Sequence, residues 1–131
     1  MFCAMYMRGW SVSRLSCLAS DTMTGTESRD IQSRFHRAVN MTVADLRAWL
    51  KTSASRAVGF RRGNARESVG HASGRRIIQL LQSGAQTESD LRHMRKVVGY
   101  IARHLKQRPP GDVTQTRWRY SLMNWGHDPL A

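Results

Sequence analysis

The chain has 131 residues, enough for one domain with a buried core. Its apolar content of 40% suits a globular protein, and no apolar run approaches the roughly 18 residues of a membrane span, so a soluble protein without membrane contacts is expected. Lys and Arg total 21 against 9 acids, a net charge of +12 that points to a polyanionic partner.

Residues 1–22 differ from the rest, carrying Arg8, Arg14, four serines and no acid before Asp21. Three readings stay open: an unstructured or mis-assigned segment with translation starting at Met23, a mitochondrial-type targeting peptide, or an ordered extension. The two cysteines, Cys3 and Cys17, both lie here. They are too few for a disulfide scaffold or a zinc site, so a reducing compartment, no structural metal and no cofactor are expected. A single helical domain is expected over 23–131, in the cytoplasm (or the nucleus of a eukaryote) unless residues 1–22 direct it to mitochondria.

Apolar residues recur at helical spacing through Ile31, Phe35, Ala38 and Val39, predicting a first helix over about Glu27–Val39. Thr42, with Asp45 three residues on, resembles a capping box and opens a second helix with Leu46, Trp49 and Leu50 inward. The Gly-, Ser- and Arg-rich stretch Thr52–Gly70 has no period and reads as a long loop. A third helix is predicted over about His71–Gln82, with Ile77, Ile78, Leu80 and Leu81 on one side and Gly84 as its stop. Thr87 and Asp90 cap a fourth, about Glu88–Lys106, whose stripe is Leu91, Met94, Val98, Ile101 and Leu105. Pro109, Pro110 and Gly111 end it. A fifth helix, about Val113–Asn124, brings Trp118, Leu122 and Trp125 to one side. No strand-like alternation occurs. The expected fold is all-α, a small bundle of about five helices with a long Arg-rich loop between the second and third.

The positive charge is uneven. Arg56–Arg76 holds six cations and one acid, and Arg92–Arg119 eight cations and one acid, while residues 23–55 hold five and three. Arginine supplies 18 of the 21 cations, and its planar fork suits phosphate, although GC-rich coding would also favour it. With Leu91 as origin, the helical wheel places Arg95, Lys106, Arg92, Arg103 and Lys96 within an arc of about 100° that runs for roughly 20 Å. No acid is expected on that arc to neutralise them. Such a stripe either follows successive phosphates or is an ordinary solvated face. Arg61 and Arg62 sit in the Gly-containing loop, and Arg75 and Arg76 near the start of the third helix, where backbone amides favour anions. Each group has the bland alternative of a surface cluster. The short turn between the third and fourth helices is compatible with a helix-turn-helix and equally with any helical pair. In Arg117-Trp118-Arg119-Tyr120 the aromatics are read as core, or as a stacking platform for unpaired bases.

Catalytic motifs are missing. His93 and His104 lie eleven residues apart on one helix, about 16 Å, too far to share a metal. Gly70-His71-Ala72-Ser73-Gly74 departs from the G-x-S-x-G spacing, and a Ser73–His127–Asp128 grouping has nothing in the sequence to support it. No enzyme is expected.

The segments Phe35–Thr42, Glu67–Ile77 and His93–Tyr100, and above all the ending Arg117-Trp118-Arg119-Tyr120-Ser121-Leu122-Met123-Asn124-Trp125-Gly126-His127-Asp128-Pro129, resemble the uncharacterised "domain of unknown function 3140" family. The resemblance covers about Ile31–Leu130 and is weakest over Ser53–Ala65. Some members carry a DNA-binding label, so the resemblance implies nucleic acid as partner and assigns no site residues. The expectation is a non-enzymatic nucleic-acid-binding protein, DNA favoured over RNA, acting through Arg61, Arg62, Arg75, Arg76, Arg92, Arg95, Lys96, Arg103 and Lys106. The alternative is an interaction module for an acidic protein, docking on the fourth helix beside Tyr100.

Overall fold

The computed structural model describes residues 25–131. The segment 1–22, with its three readings and both cysteines, lies outside the described residues. Backbone contacts divide the chain after Asp30 into the units Met1–Asp30 and Ile31–Ala131.

Described residues form six helices and no strand: α1 Gly25–Ala38, α2 Val43–Leu50, α3 Ser53–Ala57, α4 Val69–Ser83, α5 Glu88–Leu105 and α6 Arg117–Asn124. The all-α expectation holds. Of these, α2 to α6 start the same way. The hydroxyls of Thr42, Thr52, Ser68, Thr87 and Thr116 each accept from the amide three residues on, satisfying a donor that the helix leaves unpaired. Each such cap contributes about 1 kcal/mol. Thr87 and Asp90 complete the reciprocal capping box, and Arg76 reaches Asp90 as well.

The sequence reading needs correction in three places. Thr52–Gly70 is not all loop, because Thr52 caps the single turn α3, too short to show a period. The last helix starts at Arg117 rather than Val113. Val113 instead plugs into the core ahead of the cap at Thr116. On α5 the buried line is Leu91, Met94, Val97 and Ile101, whereas Leu105 is 38% exposed and Val98 half-buried.

The helix α4 packs chiefly against α2 and α6. Gly70 and Gly74, one turn apart, make that approach possible. A Cβ at Gly74 would lie 2.6 Å from the Asn124 carbonyl oxygen, and one at Gly70 would lie 2.9 Å from the Trp125 indole nitrogen. Mid-helix glycine costs roughly 0.5–1 kcal/mol in backbone entropy, here offset by helix–helix contact. The two glycines of the Gly70–Gly74 segment thus serve packing.

Asn124 is fully buried and ties three helices together. Its carbonyl oxygen accepts from Ser55 Oγ at 2.6 Å and Trp49 Nε1 at 2.8 Å, and its amide donates to the Ser55 carbonyl at 3.1 Å. The residues after α6 then close the fold. Gly126 has φ +83, a left-handed conformation, and a Cβ there would meet Val39 at 2.9 Å. The Gly126 carbonyl accepts from Met41 N, the His127 ring from its Nδ1 reaches the Ala38 carbonyl at 2.7 Å, and Asn40 and Asp128 exchange two hydrogen bonds. Arg119 clasps the Asp128 carboxylate through two nitrogens at 3.1 and 3.0 Å. Burial disfavours the Asp128 carboxylate, but Arg119 and the Leu130 amide outweigh it and hold the group below the usual range.

No helix among the described residues is long and apolar enough to cross a membrane.

Candidate nucleic-acid interface

The four α5 cations named above and Lys106, its C-cap, are all exposed, on the side of the helix away from Leu91, Met94, Val97 and Ile101. None of Arg92, Arg95, Lys96, Arg103 and Lys106 forms an ion pair among the described residues. The arc is not free of acids as expected: Glu88, one turn before Arg92, sits on it at the N-terminal end of the helix, where a negative charge suits the helix dipole.

Other named arginines divide into two kinds. Arg75 is clasped by Glu67 through two contacts at 2.8 and 2.6 Å. That hydrogen bonding, chiefly, lowers the Glu67 carboxyl to about 2. Glu67 also accepts from the His71 ring, whose other nitrogen meets the Leu50 carbonyl at 2.8 Å. Arg76 pairs with Asp90 at 3.2 Å and with Ser89. By contrast Arg61 donates to the Arg56 backbone carbonyl and keeps its charge uncompensated, and Arg62 is exposed without an ion pair among the described residues.

The structure brings Arg62, Lys96 and Arg103 together around one cavity of about 250 Å³. A neighbouring cavity of about 320 Å³ shares Arg62 and Lys96 and adds Arg76. Arg61, Arg75, Arg92, Arg95 and Lys106 line neither. No carboxylate lines either cavity. The loop reaches this place because Gly59 turns it with φ +97 and the Val69 amide donates to the Phe60 carbonyl at 2.8 Å, fastening it to the start of α4.

Aromatic rings back the cavities. Trp125 lies between Tyr100, at 4.3 Å between ring centres, and His93, at 6.4 Å. Tyr100 continues onto His104 at 5.1 Å, and His104 onto Trp118 at 6.3 Å, all within 17° of parallel. Burial pushes His93 down to about 4, assisted by the nearby Arg76 and Lys96, and pushes His104 down as well. His93 is therefore neutral at pH 7 and meets Ser73 Oγ at 3.0 Å. Burial also raises the Tyr100 hydroxyl. Phe60 stands at the mouth, 70% exposed.

Tyr100 was read beside the cation face, whereas Phe60, Trp125 and His93 were not read as neighbours of the cations. The signal was present for Tyr100 and for Phe60. Lys96, Tyr100 and Arg103 follow an i, i+4, i+7 spacing on one face, and Phe60-Arg61-Arg62 interleaves aromatic with basic as Arg117–Tyr120 does. The latter run serves the fold. Trp118 is buried with its Nε1 bonded to the His104 carbonyl at 2.7 Å, Tyr120 packs on Trp49, and Arg119 is held by Asp128.

Ser73, His127 and Asp128 form no group, because their partners are His93, the Ala38 carbonyl and Arg119 respectively. Among the described residues no cluster of three or more His, Cys, Asp or Glu is placed to hold a metal.

These features define a small all-helical protein with a basic flank and a cation-rimmed, aromatic-backed groove. The family model described as "Protein of unknown function (DUF3140)" matches residues 34–123, and the chain belongs to that family. No curated protein and no solved structure matches it.

Proposed function

We propose that the protein binds nucleic acid, DNA in preference to RNA, through contacts to the phosphate backbone. The observation that carries this reading is the set Arg92, Arg95, Lys96, Arg103 and Lys106, five exposed cations on one helix flank with no ion pair among the described residues. A line of positive side chains about 20 Å long spans several phosphates of a duplex edge. Arg61 and Arg62 extend it from the loop that is fastened beside the start of α4. Arg76 contributes from the second cavity with part of its charge used by Asp90, and Arg75 contributes least, since Glu67 takes its charge.

The test is a fluorescence-anisotropy titration of the full chain with a short duplex at several salt concentrations. Engagement of about five phosphates gives a slope of log affinity against log salt near −4 to −5. A flat response overturns the proposal. The same titration with RNA of equal length reads the preference.

A further inference from the structure

We propose that the cavity between the Gly59–Arg62 loop and α5 receives one unpaired nucleobase of a single-stranded segment, with Arg62, Lys96 and Arg103 holding the flanking phosphates. This inference rests on the phosphate-binding reading above and gives that site a substrate class.

Four observations lead to it. First, the composition of the cavity is that of a base site: aromatic walls, cations at the rim and no carboxylate. Second, its size is restrictive. About 250 Å³ falls below the roughly 300–1,000 Å³ of pockets for drug-sized ligands, so it suits a single planar ring system rather than a whole cofactor. Third, polar groups wait at its base. Ser121 and Tyr100 line it, and the Trp125 indole nitrogen lies opposite Gly70, where a side chain would close the space. Such groups suit a base edge, which carries donors and acceptors. Fourth, the rim is arranged for a chain and not for an isolated ring. The adjoining 320 Å³ cavity shares Arg62 and Lys96, so the cations stand between two lobes of one groove. The Arg103 guanidinium lies back over Gly99, where a Cβ would come within 3.1 Å of it.

Phe60 is the residue this inference explains best. A phenyl ring 70% exposed between Gly59 and two arginines adds nothing to the core. Placed at the mouth of an aromatic-backed cavity, it supplies the free ring face that the buried Trp125 does not. A duplex keeps its bases stacked and paired, so it presents nothing to such a cavity unless a base is flipped out.

The experiment compares three labelled ligands of about twelve residues with the full chain, within the usual footprint of single-strand binders. They are an oligothymidylate, an abasic strand with the same phosphates, and a duplex. The oligothymidylate is expected to bind about tenfold tighter than the abasic strand. In Phe60→Ala that ratio falls toward one, and in Phe60→Tyr it is kept. Phe60 is exposed, so neither variant threatens folding. Equal affinity of the two strands overturns the base site and leaves phosphate binding standing. A ratio unchanged in Phe60→Ala also overturns it. Binding of none of the three ligands removes the phosphate reading, and the base site with it.

Discussion

Two sets of arginines in this molecule meet opposite fates. Around Glu67, Asp90 and Asp128 each guanidinium has a carboxylate: Arg75, Arg76 and Arg119 are drawn into caps and closing contacts. Along α5 and in the loop ahead of α4, Arg62, Arg92, Arg95, Lys96, Arg103 and Lys106 have no ion pair among the described residues. The difference lies in where the acids are. Three of the few carboxylates are committed to holding helix ends and the C-terminal closure, so they leave the positive charge of the α5 flank unpaired. Self-repulsion there is a cost to stability, screened at physiological salt, and a bound polyanion relieves it.

The comparison is sharpened most by changing the unpaired set. Replacing Arg92, Arg95, Lys96, Arg103 and Lys106 together by Gln is expected to lower duplex affinity on the order of a thousandfold at moderate salt and to flatten the salt slope. Exposed substitutions of this kind typically move stability by no more than about 0.5 kcal/mol each, so the urea midpoint stays near that of the parent. A variant that keeps its affinity shows that the flank is only a solvated face. The paired set predicts the reverse. Arg119→Gln leaves Asp128 half-buried without its partner, and the two side chains are 19% and 20% exposed. A loss of about 2–3 kcal/mol in urea unfolding is expected, with affinity for the duplex little changed under conditions where the variant is folded.

Helix existence was legible because the chain announces it twice, by apolar period and by Ser or Thr caps. Thr87–Asp90 was read and formed, as were Thr42 and the stop at Gly84. Two of the failures share a cause: α3 and the true start of α6 depend on one hydroxyl each, at Thr52 and Thr116, with no period long enough to see. The family-like ending was visible as a motif but not as a mechanism. Its Gly126, His127 and Asp128 act on Val39, Ala38 and Asn40, which lie far away in sequence. The cation flank of α5 needed only a helical wheel. The groove beside it needed three separate elements, the loop at Phe60, α5 at Tyr100 and the residue after α6 at Trp125, and no spacing rule links them.

The boundary between the two sets can itself be moved. Glu67→Gln removes the carboxylate that Arg75 and the His71 ring share, so Arg75 should join the uncompensated charges and raise duplex affinity a few-fold at low salt. The same change should cost about 1 kcal/mol at pH 7, a small figure because Arg75 is 62% exposed and water screens the pair. The pH profile provides the internal check. Folding lowers the Glu67 carboxyl from 4.5 to about 2, so the native protein holds the ionised form more strongly than the unfolded chain does. Its contribution is complete above about 4.5 and is lost as pH falls toward 2. His93 acts in an adjoining window. Its ring stays neutral in the folded state down to about 4 while the unfolded chain protonates near 6.5, so stability also declines as pH falls between those values. The parent should therefore weaken in two overlapping stages on acidification; Glu67→Gln should shrink the lower stage, which Asp90 and Asp128 also supply, and keep the upper. A variant whose urea midpoint falls in parallel with the parent below pH 4.5 would show that Glu67 is not the group that fixes Arg75, and the division of arginines by their acids would lose its clearest case.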